Sequence, residues 1–79
     1  VWYFLIKQSS LERSQYQELQ KRASLTEVEH FNEPYENWYV FTVEKDSYSL
    51  FMDYLDREGI AYELAPDRPT RADMLEGMK

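Results

Sequence analysis

The chain has no cysteine, only two glycines, three prolines and one histidine, and no apolar run long enough to cross a bilayer. Without cysteine there can be no disulfide framework and no zinc–thiolate site, so the fold must hold together by burial alone. Small secreted domains more often rely on disulfides, which favours a cytoplasmic setting. The opening apolar stretch, Val1 to Ile6, is six residues long, far too short for a membrane span or a signal core. What the chain does have is aromatic side chains: two Trp, seven Tyr and four Phe among 79 residues. Each buried ring removes a large apolar area from water, so one core is within reach and two are not.

Charge is unevenly spread. The formal net charge is −6. Residues 1–25 carry a net +2, residues 26–67 set eleven carboxylates against Lys45 and Arg57 for a net −9, and residues 68–79 carry a net +1. An acidic middle repels phosphate backbones and steers basic partners inward, so direct nucleic-acid binding is disfavoured. The same carboxylates also keep an aromatic-rich domain soluble.

Hydrophobic periodicity divides the chain into six elements. Trp2 to Ile6 is an aromatic and β-branched run without alternation, as in a strand covered on both faces. Ser9-Ser10-Leu11-Glu12 reads as a capping box that starts a helix running to Arg22 or Ala23, with an apolar stripe of Leu11, Tyr16, Leu19 and Ala23. Leu25 to Phe31 alternates like a half-exposed edge strand, and Asn32 to Asn37 is a turn. Trp38 to Glu44 is again apolar on both sides. Asp46 or Ser47 caps a second helix that packs through Tyr48, Phe51, Met52 and Leu55, widened by Leu50 and Tyr54, and Gly59 ends it. Ile60 to Leu64 is the fourth strand. The single domain spans residues 1–65, and residues 66–79 form a C-terminal tail in which Thr70 can cap a short helix carrying Met74, Leu75 and Met78.

The order β-α-β-β-α-β, with its first and third strands apolar on both faces, resembles the ferredoxin-like superfold. That resemblance implies an α+β two-layer sandwich with a four-stranded antiparallel sheet, strands one and three central. It is architectural only, and function must come from sites. RNA-recognition modules of this fold carry aromatics on the central strands, but their basic residue, small Gly/Ala positions and positive field are missing here. Metal chaperones of the fold resemble a two-cysteine loop that this chain lacks. The loop Lys7-Gln8-Ser9 has neither the Arg of acylphosphatase-like enzymes nor the Gly of small-ligand regulatory modules.

No catalytic set is expected. His30 lies beside Glu29 on an edge strand, and Ser9 or Ser10 has no positioned base or oxyanion hole to make it a nucleophile. Asp53 and Asp56 are a solvated helix face, and Glu33 and Glu36 lack calcium-site spacing. We expect no metal and no cofactor.

The remaining feature is the sheet face turned away from the helices. If Trp2, Phe4, Ile6, Tyr39, Phe41, Val43, Ile60, Tyr62 and Leu64 face the helices, then Tyr3, Leu5, Trp38 and Val40 lie together on the other face, with Glu27 and Glu29 at one edge and Glu63 at the other. The opposite register exposes Tyr39 with Phe41 instead. Either leaves an apolar patch rimmed by charge, the anatomy of a protein contact site. Such a patch is used by a heterologous partner, or is covered by a second copy in a homodimer or by the C-terminal segment. The expected function is a non-catalytic interaction or regulatory module acting through this face on a protein partner, with a basic one suited to the acidic middle of the chain. The alternative is an acidic nucleic-acid mimic that occupies a basic surface of a nucleic-acid-binding protein through Glu27, Glu29 and Glu33.

Overall fold

β1 (Trp2–Lys7) and β3 (Trp38–Val43) pair antiparallel over their whole length, Trp2 opposite Val43 and Lys7 opposite Trp38, in a computed structural model that describes residues 1–78. β2 (Leu25–Glu29) adds to the outer side of β3 and β4 (Glu63–Ala65) to the outer side of β1, both antiparallel, giving the order β2-β3-β1-β4. The central pair is the pair without alternation. A strand apolar on both faces needs cover on both, and the centre of a sheet with helices on each side supplies it.

Cover on one face comes from α1 (Arg13–Arg22) and α2 (Tyr48–Glu58). Phe4, Ile6, Leu19, Phe41, Val43, Phe51, Leu55 and Ile60 form this core, flanked by Trp2, Tyr16, Tyr39, Tyr48 and Tyr62. Phe51 is its hub: its ring centroid lies 4.6 Å from that of Phe4 and 5.5 Å from that of Phe41, both tilted, as aromatic quadrupoles prefer. Helices and sheet thus form an α+β arrangement with a four-stranded antiparallel sheet.

Several boundaries differ from expectation, each for a local reason. Ser9 does not cap α1. Residues Gln8–Ser10 form a 3-10 turn, and the Ser9 hydroxyl donates instead to Glu36 at 2.6 Å, pinning the turn to the β2–β3 connection. The reciprocal box slides to Glu12, whose N–H donates to Oε1 of Gln15 at 3.0 Å. At α2, Ser47 occupies the cap position but its hydroxyl makes no capping bond, and Asp46 is exposed. Gly59 ends α2 at φ +69°, a left-handed conformation suited to glycine, and the next N–H, of Ile60, donates to the Leu55 carbonyl at 2.9 Å. That bond draws Ile60 into the core before strand pairing begins, so β4 is three residues long and starts at Glu63. Leu64 sits opposite Phe4 yet remains 38% exposed at the sheet edge. Leu50, expected to widen the packed face of α2, is 64% exposed; one residue before Phe51, it lies about 100° round the helix from the core.

Candidate interaction surface

Strand alternation and register together fix what shares the second face of the sheet. Glu27 is opposite Val40, Val40 opposite Leu5 and Leu5 opposite Glu63, a single row across all four strands. Beside it, Glu29 is opposite Trp38 and Trp38 opposite Lys7, while Tyr3 lies in the next row, between Thr42 and Ala65. The seven residues singled out from the sequence therefore lie on one face.

That face is not open. A third helix, α3 (Arg71–Met78), lies against it and closes a second apolar cluster of Leu5, Trp38, Val40 and Met74, with Tyr3, Phe31, Ala65 and Met78 packed around it. Trp38 and Met74 are each only 6% exposed, and Val40 not at all. Of the two self-made covers considered for this surface, the chain uses its own C-terminal segment. The expected open patch has to be corrected to a closed one, because a floor of Leu5, Trp38 and Val40 offers apolar contact that two methionines on a tethered segment can fill.

The helix that closes it is short. Thr70 and Asp73 cap it reciprocally: the Asp73 N–H donates to Oγ1 of Thr70 at 3.1 Å, and the Thr70 N–H to Oδ2 of Asp73 at 3.3 Å. Eight residues, one of them Gly77, make a marginal helix in isolation, so its order depends on the sheet beneath. The indole N–H of Trp38 donates to the Met78 sulfur at 2.8 Å, tying the last turn to the first residue of β3.

At the β2 edge the contact is ionic. Arg68 donates to both carboxylate oxygens of Glu27, at 3.2 and 3.4 Å, and to Glu29 at 2.6 Å. Arg71 donates to the other oxygen of Glu29 at 2.6 Å and to the backbone carbonyl of His30, and its guanidinium stacks 4.6 Å from the Phe31 ring centroid. Glu29 thus bridges two guanidinium groups, with its side chain 16% exposed. Hydrogen bonds from Arg68 and then Arg71 hold its carboxyl below the ordinary glutamate value, outweighing the opposing effect of burial. Burial works against the charge of Arg68, yet Glu29 and Glu27 overcome it and raise its pKa.

The sign of the resulting pH dependence follows. A carboxyl depressed in the folded state contributes stability above its unfolded pKa and loses it as pH falls through the folded value. Seating of α3 is expected to be complete at neutral pH and to weaken in acid, below about pH 4. The Trp38 indole N–H resonance, followed by NMR against pH, checks this; an acid-induced shift should vanish in Glu29→Gln, and a shift of equal size in that variant would count against the clasp.

The other predicted features lie apart from this contact. Glu63 is exposed on β4, where with Lys7, Tyr35, Glu36, Trp38 and Met78 it lines a shallow cleft of about 230 Å³. The Lys7 ammonium lies 5.6 Å from the Trp38 ring centroid. His30 is exposed, as are Asp53 and Asp56 on α2. Among the described residues no group of three or more His, Asp or Glu side chains is placed to hold a metal ion, and no helix is long and apolar enough to cross a membrane.

Sequence reasoning missed Arg68 and Arg71 as partners of Glu27 and Glu29, about forty residues away in the chain. The available signal was the charge map, in which a basic tail follows a block of net −9. Comparison with protein-family models, with curated proteins and with solved structures finds no match to this chain.

Proposed function

We propose that this chain is a non-catalytic protein-interaction module of ferredoxin-like architecture, working in the cytoplasm, that engages a protein partner through the sheet face opposite α1 and α2. The element order and the strand order β2-β3-β1-β4 support the architecture. One observation carries the function: an apolar floor of Leu5, Trp38 and Val40, edged by Glu27 and Glu29, is roofed by a helix with a single buried side chain, Met74. A roof so lightly anchored is exchangeable, whereas the α1 and α2 side is committed to the core. The acidic-mimic reading loses ground, because Glu27 and Glu29, two of the three carboxylates it relied on, are already paired with arginines.

The test is selection of a displayed library of helical peptides against the full chain carrying Met74→Asp, which frees the face. Enriched peptides are expected to lose binding when Trp38→Ser is added in the same background, with the far-UV circular dichroism unchanged. Enrichment of nothing, or of peptides indifferent to Trp38→Ser, would sink the reading.

A further inference from the structure

Resting on that reading, we infer the chemistry of the partner: the face takes a helix that presents arginine and apolar side chains along one stripe, and α3 is the built-in competitor that occupies the site until such a helix arrives. The chain's own tail is the evidence, since it shows what the surface accepts at each point.

Two features of the surface define the ligand. Glu27 and Glu29 are two apart on β2, so both carboxylates stand on the same side of the sheet, spaced to receive planar guanidinium forks. Arg68 takes both oxygens of Glu27 and one of Glu29, and Arg71 takes the other. Next along the face is the apolar floor, into which Met74 inserts, and then the Trp38 indole, which meets Met78. Arg71, Met74 and Met78 recur at three and four residues, one stripe of a helix, with Arg68 in the non-helical segment just ahead of it. The ligand read from this surface has one arginine just ahead of a helix and a second in its first turn, followed by unbranched apolar side chains at the next two stripe positions.

Two further features make α3 a competitor rather than a fixed part of the core. It is two turns long with Met74 alone buried, and it is joined to β4 only through Pro66 to Thr70. A short tether supplies an effective concentration on the order of millimolar, which is what shields the site from weak ligands in trans. An external helix with the same pattern and more apolar surface displaces it.

The experiment uses a labelled peptide of residues 66–78 and the full chain. In fluorescence anisotropy the parent should bind the peptide weakly, and a chain carrying Arg68→Glu, Arg71→Glu and Met74→Ser at least tenfold more tightly. In that unseated chain, a peptide with Gln at both arginine positions should bind at least tenfold more weakly, and Glu27→Gln with Glu29→Gln should reduce the arginine peptide to the level of the glutamine peptide. That convergence is a coupling a merely structural role would not produce. Met74→Ser alone serves as the second variant, should the triple one be poorly folded. Equal binding to parent and unseated chains overturns the competitor role. Indifference to the peptide arginines overturns the proposed ligand chemistry while leaving intact any Trp38-dependent peptides from the library. A concentration-dependent dimer of the parent, formed without peptide binding by the unseated chain, overturns it in favour of tail exchange between copies.

Discussion

Phe51→Ala is expected to cost about 3–5 kcal/mol, the range for emptying an aromatic site in a packed core. Phe51 is fully buried, and its ring meets both Phe4 and Phe41, so truncation removes contacts to both central strands at once. A chain of 79 residues has a total stability of roughly 4–12 kcal/mol at the usual value per residue. The variant should therefore lose a large share of its stability, and all of it where the parent sits at the low end of that range. Urea titration followed by circular dichroism measures the loss, with Leu50→Ala as the internal control on the same helix. Leu50 faces solvent, and its truncation should stay within about 0.5 kcal/mol. A Phe51→Ala loss below about 1 kcal/mol would mean that α2 is not anchored as described.

The second large effect is local. Met74→Asp puts a carboxylate against Leu5, Trp38 and Val40, a floor on which the Trp38 indole N–H is already given to Met78. Burying an unpaired charge costs several kcal/mol, and the chain avoids that cost by letting α3 go. The arginine clasp does not hold the helix down alone, since partly exposed ion pairs contribute about 1 kcal/mol or less each. The variant should keep its sheet and its α1 and α2 core while the Arg71–Ala72 bond becomes at least ten times more sensitive to trypsin. Arg68, followed by Pro69, should stay resistant in both proteins. Unchanged cleavage at Arg71 would show that α3 is either already unseated in the parent or held by something other than Met74.

What the sequence made legible were features with a local signature. Apolar residues on both sides of Trp2 to Ile6 and Trp38 to Glu44 marked the two strands that sit at the centre, and the period of two sorted their side chains between faces. Gly59 marked the end of α2 because one backbone conformation there suits glycine. Features settled by competition between local options were shifted. Ser9 had the composition of a cap, but a carboxylate from another loop claimed its hydroxyl. The strand expected from Ile60 starts late because its first residue is recruited to the core. Hardest to read was the closed face: Met74 and Met78 are visible in the tail, but nothing within that segment says which surface they meet. The Glu–Arg clasp is a contact between segments about forty residues apart, set by sheet register, and register is a property of the whole fold.

The placement of the two tryptophans has a practical consequence. Trp2 lies on the α1 and α2 side, its ring 5.8 Å from Tyr48, whereas Trp38 lies on the opposite side beside Met78. Each layer of the molecule thus contains its own intrinsic fluorophore, on adjacent strands of one sheet. With Trp2→Phe or Trp38→Phe, emission from the remaining indole reports one layer alone. Coincident denaturation curves from the two variants would describe a single cooperative unit, while an earlier Trp38 transition would mark the tail layer as one that melts on its own.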